Sequence, residues 1–252
     1  MLRLLKYDWK RNANLSLGLL AVLVLLQIAI GVIGNVRGWE QAIILLLSIM
    51  LYVMTGIILI ILASKTYENN IKAYSRRLLP IRPVWSAVSS IVLWWIFSLV
   101  LGLLVTAHYF IYTKFVFKDF WWPQELLVAD VTDWFGIIFM TGWSLTYLMV
   151  SILLSITIGA SVSLRGKAGT WIGLLAFIVI QNTVSWVEHI LFRGYDVLLF
   201  RIDSLEYSDT AVNAQLMPSA SFMTVGQLLF EGVIIVLMLV LINYLMSRKV
   251  EI

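Results

Sequence analysis

No cysteine occurs in this chain, which excludes disulfides, thiol catalysis and cysteine–metal sites. Charge is scarce as well. Only 13% of residues are Asp, Glu, Lys or Arg, roughly half the share of an ordinary soluble domain. The two histidines, His108 and His189, belong to no H-E-x-x-H pattern and read as rim residues near outer span ends. No G-x-S-x-G elbow marks a hydrolase nucleophile. No G-x-x-x-x-G-K-[ST] marks a P-loop, and the stretch Arg165–Gly169 (RGKAG) is too short for one. Glu188 and His189 make no acid–base couple, because neighbours on a helix point about 100° apart. Catalysis and nucleotide binding by this chain are therefore not expected.

What the chain has in abundance is apolar length. Hydrophobic residues make up 61% of its 252 positions. They gather in six runs, Leu15–Gly34, Ala42–Ser64, Val84–Thr106, Phe135–Ala160, Thr170–Trp186 and Leu229–Met246. A hydrocarbon core about 30 Å thick needs about 20 apolar residues of helix. Backbone in lipid must satisfy its own hydrogen bonds, and nothing in the runs alternates at period two, so they read as helices. The expectation is an all-α integral membrane protein, residues 1–252 forming one transmembrane domain of six spans. On this reading the spans hold no buried acid–base pair, which argues against a proton-coupled carrier. Glu231 comes nearest, in the first turn of the last span, where the helix dipole favours a carboxylate.

Basic residues explain the pI near 9.3 without nucleic acid, because they cluster at span ends. With the N-terminus inside, the inner segments carry a net +10 and the outer ones −6, which together give the chain's +4. Lys/Arg bias sets orientation, so both termini are expected in the cytoplasm of a bacterial cell. Trp9, Trp39, Trp85, Trp121, Trp122, Trp134, Trp171 and Trp186 lie near span ends, where an aromatic belt places them. Trp94, Trp95 and Trp143 lie inside spans.

Residues 1–12 set Leu2, Leu5 and Trp9 on one helical face and Lys6, Asp8 and Lys10 on another. That pattern suits an N-terminal interfacial helix, or a simple basic anchor. The polar segment Lys65–Pro83 is long enough for a short helix that Pro80 and Pro83 break. It reads as a docking helix or a basic connector. Outside, Thr113–Trp134 and Glu188–Gln227 are too apolar for disorder and suggest short interfacial or re-entrant helices before the sixth span. Ser151, Ser155, Gly159 and Ser163 form a small-residue stripe on the fourth span, and Gly169 and Gly173 form a GxxxG on the fifth. The stripe serves packing within the bundle, a subunit interface or a polar track along a translocation path.

Along its full length the chain resembles the permease subunits of the type-2 ABC exporter superfamily. The residues that carry the likeness are Glu68, then Leu78, Leu79, Pro80 and Ile81 in the loop between spans two and three. Asn69, Asn70 and Ile71 stand where the family often has a Gly-Thr pair. The resemblance implies a cytoplasmic coupling helix, with Tyr74, Arg76 and Arg77 beside the motif, docking on a separate ATPase. It implies two ATPase copies and a second permease chain, identical or related, in the lipid bilayer. ATP and Mg would be bound by the partner, and no cofactor by this chain. The implied function is outward movement of an amphipathic or hydrophobic cargo such as a peptide, a lipid-linked molecule or a drug. An ATP-independent channel or secondary carrier is the alternative.

The topology is testable because the chain is free of cysteine. Single cysteines at Asn35 and Asp203 should react with an impermeant thiol reagent in intact cells, and one at Gly166 should not. The opposite labelling would reverse the orientation.

Overall fold

A computed structural model describes residues 2–72, 84–115, 131–162, 168–192, 201–202, 220–221 and 225–248. Six helices dominate: α1 (Leu2–Val36), α2 (Gln41–Lys72), α3 (Val84–Phe115), α4 (Val131–Ser161), α5 (Ala168–Phe192) and α6 (Val225–Arg248). All six contain a stretch long and apolar enough to cross a membrane. Their outward faces are crowded with large apolar side chains, such as Leu25, Ile28, Val179 and Val240. So much exposed apolar surface suits lipid and not water.

The helices outrun the apolar stretches that announce them. α2 continues past Ser64 to Lys72, because Lys65–Lys72 holds no Gly or Pro and the i,i+4 pair Glu68–Lys72 supports the last turns. The same logic removes a separate interfacial helix. Nothing between Leu2 and Leu17 breaks a helix, and α1 runs through both segments without interruption. The apolar face of that first stretch meets protein, with Leu5 and Trp9 packed on Leu59, Leu93 and Phe97. Trp9 and Phe97 approach with ring centroids 5.8 Å apart, so Trp9 joins the helix packing instead of an interfacial belt.

The described residues form two compact units. The first takes Met1–Lys118 with Leu245–Ile252, and the second takes Asp119–Tyr244. In unit 1, α1, α2 and α3 pack against one another in all three pairings. Helix association inside lipid is driven by close packing and interhelical hydrogen bonds, not by expulsion of water. The α1–α2 link is four residues long. Gly38, at φ +64°, takes the left-handed position that ends α1. Trp39 N–H then bonds Gly34 O at 2.8 Å and Gly38 N–H bonds Asn35 O at 3.2 Å, the two bonds of a Schellman cap. At the far end of this unit Tyr67 donates its hydroxyl to Met246 Sδ at 3.4 Å.

In unit 2, α4 and α5 form a close antiparallel pair. A Cβ at Gly159 would collide with the carbonyl oxygen of Gly169, and one at Gly173 would sit 3.0 Å from the carbonyl oxygen of Ser155. Small residues let the two backbones touch. Further along the pair, Gln181 Nε2 donates to Ser151 Oγ at 2.9 Å. α6 seats aromatics of its neighbours on its glycines, Phe192 over Gly226 and Trp143 over Gly232. Within 193–224, Arg201–Ile202 and Ala220–Ser221 pair as two antiparallel strands, Arg201 opposite Ser221. The sequence led us to expect short helices there. The rest of that segment, and 116–130, lie outside the described residues.

Gly159→Leu should pry α4 from α5, because the side chain has no space to enter. The expected loss is about 1–3 kcal/mol, typical of overpacking. SDS unfolding followed by tryptophan fluorescence would read it, and an unchanged midpoint would contradict the packing.

Candidate functional site

The end of unit 1 that carries Lys6, Lys10, Arg11, Lys65 and Lys72 also holds a fully buried carboxylate. Asp8 has no exposed surface. Sequence reasoning left it solvated among lysines on the polar face of an interfacial helix. Because α1 is continuous and packed on α2 and α3, that face points into the helix trio instead. Asn70 Nδ2 of α2 donates to Asp8 Oδ2 at 3.1 Å and Oδ1 at 3.3 Å. Ser89 Oγ of α3 donates to Oδ2 at 3.0 Å. One carboxylate thus joins three helices, using neutral donors that cost little to bury with it.

Neighbouring side chains extend the network. Asn12 Nδ2, one turn after Asp8, donates to Thr66 Oγ1 at 2.9 Å and to the carbonyl of Asp8 at 2.7 Å. Thr66 passes its own proton back to Leu62 O. Arg11 reaches across to the carbonyl of Thr66 at 3.3 Å and to Asn70 Oδ1 at 3.5 Å. Asn70 therefore stands between a guanidinium and a carboxylate, accepting from one and donating to the other. Ser86 and Ser90 of α3 keep buried hydroxyl oxygens without a hydrogen-bond partner among the described residues.

Asn70 lies two residues before the end of α2, where the 73–83 segment departs, and Ser89 lies five residues after α3 resumes at Val84. The network thus grips both helices that carry this segment. Of the residues expected to couple, Glu68 is half-exposed and accepts from Lys72 Nζ at 2.5 Å, an exposed pair worth about 0–1 kcal/mol. Tyr74, Arg76, Arg77, Leu78, Leu79, Pro80 and Ile81 lie outside the described residues. No family model, curated protein or solved structure matches this chain. Residues and geometry alone carry the functional reading.

The small-residue stripe lies on the face of α4 that meets α5. Ser151 and Ser155 are buried there, Gly159 abuts Gly169 and Gly173, and Ser163 lies outside the described residues. His108 lies seven residues before the end of α3 and is half-buried, its Nδ1 2.7 Å from the Tyr52 hydroxyl, with the Tyr112 ring 5.4 Å away. One further placement departs from expectation. Glu231 is not in a first turn, since α6 starts at Val225 and Glu231 is its seventh residue, beyond the reach of the helix terminus. Sequence reasoning also missed that the fold sets Glu231 within electrostatic range of Glu188. Helical spacing along one element gives no sign of pairs such as Asp8–Ser89, 81 residues apart.

Asp8→Ala strands the Asn70 amide and the Ser89 hydroxyl in a dry site. That should cost about 1–3 kcal/mol. Double-mutant cycles on Asp8 and Asn70, read by SDS unfolding, should show coupling near 1 kcal/mol. Additive effects would remove the network.

Proposed function

We propose that this chain is the transmembrane subunit of an ATP-driven exporter, moving an amphipathic or hydrophobic cargo outward with energy from a separate ATPase. The observation that carries the reading is the Asp8 network, which ties α1 to both helices flanking the 73–83 segment. A push on a helix in that segment would reach α2 and α3 at their ends, and α1 through Asp8. Energy supplied from outside the chain needs such a contact. Two copies of this chain, or this chain with a related one, would enclose the cargo path, and two ATPases would bind ATP and Mg. ATP-driven closure of the ATPases would press the coupling segments and switch the pair from inward to outward access.

A second reading, an ATP-independent carrier, is favoured by the Glu188–Glu231 proximity, since paired carboxylates in spans mark ion and proton paths elsewhere. ATP hydrolysis separates the two. Apolar anchors at an interface centre cost about 2 kcal/mol or more when truncated, near thirtyfold in affinity. Leu78→Ala with Leu79→Ala should therefore release a co-expressed ATPase in pull-downs and abolish cargo-stimulated hydrolysis, while Arg76→Gln should change little. Wild-type behaviour of the double-Leu variant would refute coupling through this segment. Cargo uptake driven by an imposed pH gradient without ATP would favour the carrier.

A further inference from the structure

We infer that unit 2 holds a binding site for an organic cation, a positive group on an apolar body, between α5 and α6. A cleft of about 260 Å³ opens there, lined by Ser185, Glu188, His189 and Phe192 of α5 and Gln227 of α6. Gln227 hydrogen-bonds Glu188. Glu231 follows Gln227 by one turn of α6, within electrostatic range of Glu188, and Tyr147 of α4 feels both carboxylates. Trp143 of α4 hydrogen-bonds Glu231, and the buried Tyr147 hydroxyl has no hydrogen-bond partner among the described residues. A buried hydroxyl without a partner is rare in folded proteins, and beside two carboxylates it leaves polar capacity that a ligand can use.

The charge of that occupant follows from what surrounds the carboxylates. α4, α5 and α6 as far as Tyr244 contain no Lys or Arg. On these described helices the two carboxylates meet no Lys or Arg, only His189 in the cleft, and buried charge without a counter-ion is costly. A metal ion fits poorly, because no group of three or more His, Cys, Asp or Glu side chains converges among the described residues. An organic cation fits better, since Phe192 lines the cleft and further aromatic rings pack on the same helices. Phe192 and Phe230 meet edge to face at 5.9 Å, and Trp143 stacks on Phe139 at 6.1 Å. Aromatic faces beside carboxylates attract ammonium-like groups. Asn182, Ser185 and His189 lie along one side of α5 and are exposed, a polar track in a spanning helix that leads to the cleft.

The site deepens the exporter reading by naming a cargo class, but binding requires neither ATP nor the ATPase. The test therefore uses the chain alone in nanodiscs of zwitterionic lipid, with radiolabelled tetraphenylphosphonium as the probe. Wild type should bind it saturably, and the anion tetraphenylborate should not compete. Glu188→Gln and Glu231→Gln should each weaken binding roughly tenfold or more, as loss of a charged partner does. Glu231→Asp, which keeps the charge, should stay within a fewfold of wild type, and Glu40→Gln in unit 1 should match it. Undiminished binding in the double Gln variant, absence of saturable wild-type binding, or equal competition by tetraphenylborate would overturn the inference. Each of those results would leave the ATPase pull-down unaffected, so failure of the cargo class and failure of the exporter reading are distinguishable.

Discussion

A carboxylate sealed from solvent is tolerable only where protein supplies its hydrogen bonds, and in unit 1 that demand falls on three helices together. Apolar side chains in lipid give attraction without direction, so helices held by them alone can slide by a fraction of a turn at little cost. Asp8 removes that freedom. Its oxygens fix α1 against Asn70 on α2 and Ser89 on α3, and Asn12 repeats the contact one turn along through Thr66. The packing of Leu59, Leu93 and Phe97 then has one register to adopt. Around a single buried charge, the order of the helix trio becomes specific as well as compact.

The six spans were legible because the bilayer imposes one length and one type of backbone on any segment that crosses it. Runs such as Ala42–Ser64 and Val84–Thr106 fall inside α2 and α3. Their ends were less legible, since hydropathy stops where charge begins while the helix continues until something breaks it. For α1 and α2 the stretches are Leu2–Asn14 and Lys65–Lys72, expected as separate short helices and found continuous with the spans. The polar sites were the least visible. Asp8 looked solvated because a lysine stands two residues away on either side, and only tertiary packing reveals which face is enclosed. Glu188 and Glu231 are 43 positions apart on different helices, so no local pattern joins them.

Polar side chains inside the two units serve packing in different ways. In unit 1 they close upon one another across helices: Arg11 on Asn70, Asn70 on Asp8, Tyr52 on His108. Such closed sets stabilise a geometry, even though Ser86 and Ser90 nearby keep buried oxygens without a partner among the described residues. In unit 2 the stripe from Ser151 to Gly173 works through small size, letting two backbones touch, with Gln181 on Ser151 as its one cross-helix side-chain bond described.

An unbroken α1 of 35 residues is about 52 Å long at 1.5 Å per residue, well beyond a hydrocarbon core of about 30 Å. A rod of that length is a lever. Tilting it by about 10° around its midpoint displaces each end by about 4–5 Å, close to a full helical turn in scale. Tilt is the ordinary response of a long helix to a thinner bilayer, and α1 has no proline at which to absorb it. Membrane thickness thus acts directly on the position of Asp8 and, through it, on the helices that carry the 73–83 segment.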